Sequence, residues 1–330
     1  MIDANTILEG DCIQSLKSLP DGIANTCITS PPYYGLRDYG KDGQIGLEET
    51  PEEYVQKLVE VFREVKRVLR DDGTLWLNLG DTYANTPVGK FNGGGFNDVS
   101  AKNGGRDLSG VATSGNLNKL KASGLKQKDL IGIPWMVAFA LRSDGWYLRQ
   151  DIIWHKTSTM PESVTDRCTK AHEYIFLLSK SKTYYYDAES IKEPVKQDWG
   201  TRDRTKGKYH NPGTGLNPHT GLQKSYEKAN KRSVWTISPK PFHGAHFATF
   251  PPDLIEPCVI AGSPEGGIVL DPFFGSGTTG LVSMKNNRKY LGCELNSEYI
   301  DIAKERLKPV ETEIKNKEIA ESLIQNYFQF

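Results

Sequence analysis

The stretch Gly267-Ile-Val-Leu-Asp-Pro-Phe-Phe-Gly-Ser-Gly-Thr-Thr-Gly280 decides the fold. Gly267 to Leu270 is a short apolar run bounded by turn residues, which reads as a buried strand. Asp271 to Gly277 carries a proline and two glycines and reads as a loop, and a helix is predicted from Thr278 to Asn286. Strand, small-residue loop and helix in that order let a ligand approach both the backbone and the amides of a helix N-terminus. Gly275, Gly277 and Gly280 satisfy the pattern GxGxxG, which alone says little beyond that crossing.

Working outward, the pattern continues with a strand at Lys289 to Glu294 and a helix at Ser297 to Leu307, and is preceded by a helix at Pro252 to Ala261. A tail helix is expected at Glu311 to Tyr327. The N-terminal half has the same rhythm: strand Thr6 to Asp11, a short helix through Ile13, Leu16 and Leu19, and strand Ala24 to Thr29. Thr50-Pro-Glu-Glu53 is a helix start, and the apolar face Tyr54, Leu58, Val61, Phe62, Val65, Val68 and Leu69 follows it until Asp71-Asp-Gly73. Thr74 to Leu79, Tyr147 to Trp154 and Glu173 to Leu178 read as further strands, with a helix at Pro134 to Arg142. Strands alternating with helices predict an α/β fold with a doubly wound, mostly parallel sheet.

Glu294 ends the strand after the glycine loop, with Leu295 behind it, where a carboxylate can accept the hydroxyl hydrogens of a ribose. Asp271 precedes the loop, where it can face a cationic group. Ribose and cation together fit S-adenosylmethionine, while a nicotinamide dinucleotide fits the loop taken alone. The loop lies late in the chain, so the cofactor half is made last and the sheet is circularly permuted. Glu9-Gly10-Asp11 then ends beside Glu294, which brings Asp11 or Cys12 to an adenine amino group; Asp11 serves equally as a plain turn former.

Ser30-Pro-Pro-Tyr33 follows the strand Ala24 to Thr29. In isolation it is an ordinary turn. At the end of a buried strand beside the glycine loop it can do chemistry, because Ser30 Oγ and the Pro31 carbonyl can accept the two hydrogens of an exocyclic amine and so localise its lone pair. Pro32 stiffens that carbonyl, and Tyr33 offers a ring for an extruded base.

The chain has 330 residues, 41 Lys and Arg against 41 Asp and Glu, 37% hydrophobic and 25% charged residues, an ordinary water-compatible composition. The N-terminus has no signal-peptide pattern and no run reaches membrane-span length, so a cytosolic location is expected. The five cysteines show neither paired nor zinc-like spacing, so no metal is expected. Charge is concentrated instead. Asn85 to Lys128 has seven basic residues against two acidic ones and nine glycines, and reads as a surface insertion. Lys192 to Arg232 has ten against four, with Trp199, Tyr209 and His210 interspersed. That mixture suits phosphate contact and base stacking, with Arg202, Arg204, Lys206 and Lys208 as candidate DNA contacts; the alternative is a solvated linker. His155 and Lys156, after a strand, are further candidates, although His155 fits a structural role as well.

Across residues 5 to 308 the chain resembles the S-adenosylmethionine-dependent DNA amino-methyltransferases in their β permutation. Thr29-Ser-Pro-Pro-Tyr33 is similar to the catalytic motif, Asp271-Pro-Phe-Phe-Gly-Ser-Gly-Thr278 to the cofactor motif, and Glu294 to the ribose acid. Phe273, Phe274, Gly275, Gly277 and Thr278 thereby become candidate cofactor contacts. His246-Phe-Ala-Thr-Phe-Pro251 resembles the segment that encloses the methionine end of the cofactor, which adds Phe247, Thr249 and Pro251. The resemblance implies one methyltransferase domain with a seven-stranded sheet containing one antiparallel strand. Its catalytic half is 1–190, a target-recognition region lies at 191–235 and the cofactor half is 236–308. It also implies double-stranded DNA as partner, with room for a restriction endonuclease beside it, and a flipped target base. Serine as first motif residue is commoner for N4 of cytosine, and Asp or Asn for N6 of adenine. Phe274 beside Phe273 departs from relatives that carry a smaller residue at one position. Pro257-Cys258 resembles a carbon-methylating nucleophile, but Cys258 falls inside a helical pattern and reads as packing. An RNA methyltransferase and a non-catalytic binding module are the competing readings.

Overall fold

The helix that the start signal announces spans Pro51–Val68 as α2. It opens with a reciprocal cap: Glu53 N donates to Thr50 Oγ1 while Thr50 N donates to Glu53 Oε2, both at 3.2 Å. Its stripe Tyr54, Leu58, Val61, Phe62, Val65 and Val68 is fully buried, at about 1.5–3 kcal/mol for each large apolar side chain removed from water. The helix ends one residue earlier than its apolar face suggests. Leu69 turns extended and begins a strand, because its backbone pairs with Ala24.

The computed structural model describes residues 4–36, 40–41, 43–84, 124–159, 161–195, 202–203, 222–223, 227–239 and 250–327. Two compact units emerge, residues 1–186 with 233–330, and residues 187–232. The second covers the basic stretch Lys192 to Arg232. It contains two short antiparallel pairs, Glu193–Pro194 with Lys228–Ala229 and Arg202–Asp203 with Leu222–Gln223.

The first unit holds the sheet. In chain order its elements are β1 (Thr6–Glu9), α1 (Cys12–Lys17), β2 (Ala24–Thr29), α2, β3 (Leu69–Leu79), α3 (Ile133–Ser143), β4 (Tyr147–His155) and β5 (His172–Ser179). After the second unit come β6 (Val234–Thr236), α4 (Pro252–Gly262), β7 (Ile268–Asp271), α5 (Thr278–Lys285), β8 (Lys289–Glu294) and α6 (Ser297–Tyr327). The strand order is β1-β8-β7-β2-β3-β5-β4-β6. All pairings are parallel except those of β5 with β3 and β4. The seven expected strands, one of them reversed, are thus joined by a three-residue edge strand, β6. Residues of α1, α2 and α3 build one buried cluster, while α5 and α6 pack around Phe274, Met284 and Tyr290 in another.

The two expected C-terminal helices are one. Pro309 removes a single hydrogen bond from α6 without breaking it, and the apolar face carries on through Val310 and Ile314 against the Phe274 cluster. No helix among the described residues is long and apolar enough to cross a membrane.

The order of the strands makes the late half function as a neighbour of the early one. β7 lies beside β2, and from this pair β2-α2-β3 winds one way while β7-α5-β8 winds the other. Such a reversal opens a crevice beyond the carboxyl ends of the two strands.

Candidate active site

Ser30 leaves β2 and Pro272 leaves β7 side by side, and a cavity of about 250 Å³ occupies the crevice between the segments that follow them. Ser30, Pro31, Pro32 and Tyr33 line it together with Phe273, Gly275, Thr278, Glu294 and Leu295. The two motifs, more than 240 positions apart, therefore share one chamber. Gly10, Asp11 and Cys12 reach it as well, because β1 pairs with β8 and Gly10 N donates to Glu294 O at 2.9 Å.

On the glycine-loop side, the Glu294 carboxylate accepts from Gly275 N through Oε2 and from Asn296 N through Oε1, each at 2.8 Å. Burial raises its pKa, and these amides oppose the rise. A carboxylate fixed in this way retains lone pairs toward the cavity, as diol recognition requires. Gly277 has φ +78°, and a Cβ there would stand 3.0 Å from Ala303 Cβ, so α6 presses directly on the loop. Arg306 of α6 completes the support by donating to Ser276 O, Ser276 Oγ and Thr278 Oγ1. Asp11 caps α1 through Gln14 N at 2.9 Å and also borders the cavity. Burial pushes the Cys12 thiol up to about 12, which leaves it a neutral wall.

On the Ser30 side, the Tyr33 hydroxyl donates to Glu173 Oε2 at 2.7 Å and lies 3.3 Å from Asn78 Oδ1. Its ring lies against Gly80, where an added Cβ would stand 2.5 Å from Tyr33 Cε2. Tyr54, fully buried on α2, donates to Pro32 O at 2.8 Å and holds the turn from beneath. No described residue donates to the Pro31 carbonyl. Burial next to Glu173 holds the Tyr33 phenol well above its usual pKa, and the neighbouring Ser30 works against that rise.

The remaining candidates fall both on and off the cavity wall. Asp271 is not on the cavity wall. It is 1% exposed and accepts from Thr29 Oγ1, Thr279 Oγ1 and Phe273 N, so its charge is used inside the fold rather than on a ligand cation. Pro251 is the residue before α4 and is buried, and its neighbour Phe250 lines the cavity instead. Phe274 touches the cavity, but its ring is buried behind the loop and stacked on Tyr290 at 5.2 Å. Lys156 is a cavity residue, ion-paired with Glu173 and 4.4 Å above the Trp154 ring. His155 is exposed, bonds Thr236 Oγ1 through Nδ1 and does not line the cavity. Cys258 is buried within α4, its thiol toward Leu254 O, in keeping with the packing role.

Phe247, Thr249, Arg204, Lys206 and Lys208 lie outside the described residues, as does most of the 85–128 insertion. Arg202 stands in a two-residue strand of the second unit. Asn78 and Glu173 were missed by sequence reasoning, although each is a polar residue in an apolar strand, which was the available signal.

Residues 24–305 match the family of DNA methylases that covers N6 and N4 transfer. The type II methyltransferase M.SmaI of Serratia marcescens is 48% identical over 301 residues, 91% of this chain and 90% of that protein. The PvuII DNA methyltransferase, described as cytosine-N4-specific, superposes with a TM-score of 0.59 at 17% identity, over 96% of this chain and 94% of its own. A putative DNA modification methylase of Thermus thermophilus, TTHA0409, solved in complex with S-adenosyl-L-methionine, gives 0.55 at 23% identity, over 92% and 95%. With a matched span that takes in both motifs and nearly the whole sheet, the chain belongs to the N6/N4 DNA methylase family.

Proposed function

We propose that this protein transfers a methyl group from S-adenosyl-L-methionine to the exocyclic N4 of a cytosine flipped out of duplex DNA. The observation that carries the reading is the common cavity of Ser30, Pro31 and Tyr33 with Gly275 and Glu294. The donor set fits the cofactor: a fixed carboxylate for the ribose, small residues at the loop, and Phe273 and Phe250 as apolar walls. When bound, S-adenosylmethionine supplies an electrophilic methyl on a cationic sulfur.

The chain's own residues prepare the nucleophile. The amine of cytosine is delocalised into its ring, and acceptors at Ser30 Oγ and Pro31 O draw its hydrogens so that the lone pair turns toward the methyl. With the donor bound, the amine held by Ser30 Oγ and Pro31 O would take the methyl in exchange for one N–H proton, which would pass to water. Tyr33 stacks the base, at about 1–3 kcal/mol, against the few kcal/mol that unstacking costs. Ser30 favours cytosine because it is the commoner first residue for N4 transfer, and the same cavity serves N6 of adenine by the same chemistry. The basic stretch Lys192 to Arg232 contacts the DNA target, and a restriction endonuclease of the same specificity is the expected cellular counterpart.

Tritiated S-adenosylmethionine incubated with unmethylated duplex DNA tests the reading. Label is expected in N4-methylcytosine after hydrolysis and is lost in Ser30→Ala and Tyr33→Ala. Label in N6-methyladenine moves the target base, and label entering only structured RNA overturns the substrate.

A further inference from the structure

Around the Tyr33 hydroxyl the cavity wall is polar, and its hydrogens can be followed one by one. The hydroxyl places its single proton on Glu173 Oε2 at 2.7 Å. Asn78 Nδ2 uses both of its hydrogens, on Glu173 Oε2 at 3.3 Å and on Tyr174 O at 3.0 Å. Trp154 Nε1 donates to Ile237 O at 2.9 Å. Lys156 differs. Its ammonium has three hydrogens, of which the ion pair with Glu173 Oε1 takes one, and the face of the Trp154 ring, 4.4 Å from Nζ, can take a second. One donor is left over, on a side chain that lines the cavity and is only 22% exposed. The backbone beneath it is fixed, because Lys156 N donates to Ala171 O at 2.8 Å.

Charge decides what that donor suits. With Glu173 against it, the ammonium has little net charge to offer a phosphate, and it does not repel a sulfonium bound in the same chamber. What remains is directional hydrogen bonding toward a neutral acceptor. A flipped cytosine whose N4 is held at Ser30 and Pro31 presents two acceptors beside the amine, N3 and then O2. Adenine presents N1 and then a C2–H.

We propose that Lys156 is a specificity-determining residue for the target base, donating to O2 of the flipped cytosine, while Glu173 holds the ammonium in place and cancels its charge. An adenine in the same seat leaves that donor facing a C–H, a mismatch that a hydrogen-bonding site rejects strongly. This deepens the proposed function and rests on it.

Modified-base sequencing of plasmid methylated by the wild-type protein first locates the target. Two duplexes are then made, one with cytosine at that position and one with a 2-aminopyridine C-nucleoside. The analogue keeps the exocyclic amine and the ring nitrogen and has C–H in place of the 2-carbonyl. Transfer from tritiated S-adenosylmethionine gives kcat/KM for each. The cytosine-to-analogue ratio should be at least tenfold higher for wild type than for Lys156→Met, a comparison from which the analogue's own reactivity cancels. Thermal melting reports whether Lys156→Met, which leaves Glu173 unpaired, is folded. If it is not, Glu173→Gln against Lys156→Met/Glu173→Gln supplies the same comparison with the pair neutralised. Equal ratios overturn the inference. DNA affinity across a salt series, measured without the methyl donor, is the second readout. A base contact leaves the slope of log K on log[salt] unchanged in Lys156→Met, whereas a phosphate contact flattens it by about 0.9 and likewise overturns the inference. Wild-type protein that marks N6 of adenine, or no DNA base, is identified at the sequencing step; the proposed function then fails by itself, and the role of Lys156 falls with it.

Discussion

Thr29 and Asp271, 242 positions apart, are joined by a 2.6 Å hydrogen bond from Thr29 Oγ1 to Asp271 Oδ1 in a buried contact between β2 and β7. The bond ties the strand that ends in the Ser30 turn to the strand that ends in the glycine loop. Asp271 Oδ2 takes a second hydroxyl, from Thr279 at the start of α5, also at 2.6 Å. Asp271 therefore acts as an internal bracket at the point where the sheet reverses. Thr29→Val keeps the side-chain shape and removes one donor from a buried carboxylate. The expected cost is about 1–3 kcal/mol. Urea unfolding should show a lower midpoint with an unchanged slope, and an unaltered midpoint would show that the bracket has no energetic weight.

The same carboxylate gives a pH dependence with a definite sign. Burial pushes the Asp271 pKa up to about 6, whereas an unfolded chain places it near ~3.9. Between those values the folded state holds the proton more tightly. The stabilisation is complete below about pH 4 and is lost as pH rises through about 6, for at most about 3 kcal/mol. Asp271→Asn removes the titration. Wild-type stability minus that of Asp271→Asn should fall between pH 4 and pH 7, as measured by denaturant unfolding at both pH values. A difference that stays flat, or grows, contradicts the assignment.

Gly80 is expected to control activity without touching the glycine loop. An alanine Cβ there would lie 2.5 Å from Tyr33 Cε2 and 3.2 Å from Cζ, and the ring cannot yield freely because its hydroxyl is held by Glu173. Gly80→Ala should displace the ring by a fraction of an ångström and lower methyl transfer by roughly 10–100-fold. The KM for S-adenosylmethionine should stay near wild type, since Glu294 and Gly275 are untouched. Steady-state kinetics decide it, and a wild-type kcat would mean that the ring position is not critical.

Much of this arrangement was legible because it depends on local patterns. The Thr50 cap, the 3.6-residue stripe of α2, and the order of strands around the glycine loop are readable from neighbours in the chain. Which way Asp271 points was not. β7 is buried on both sides, so it has no polar alternation from which to infer a facing direction. Asn78 and Glu173 stood out as polar residues in apolar strands, but only the antiparallel register that pairs Asn78 with Ile175 brings them to one end of the sheet beside Tyr33. That register is a long-range fact. β6 escaped notice because three residues are too few for a strand pattern to be visible.

Phe274, the residue that departs from the family pattern, should be energetically coupled to Gly292. Its ring sits where a Cβ on Gly292 would be 2.4 Å from Cγ and Cδ2, and one on Gly280 would be 2.7 Å from Cζ. The bulk of the phenylalanine is thus accommodated by missing side chains on β8 and α5, behind the cavity wall rather than in it. Gly292→Ala in the wild-type background overpacks this site at about 1–3 kcal/mol. In a Phe274→Leu background the added methyl meets a smaller, more adaptable neighbour. The double variant should then be at least about 1 kcal/mol more stable than the two single changes predict when summed. A double-mutant cycle by urea unfolding measures the coupling, and strict additivity would mean that the glycine is required for some reason other than the ring.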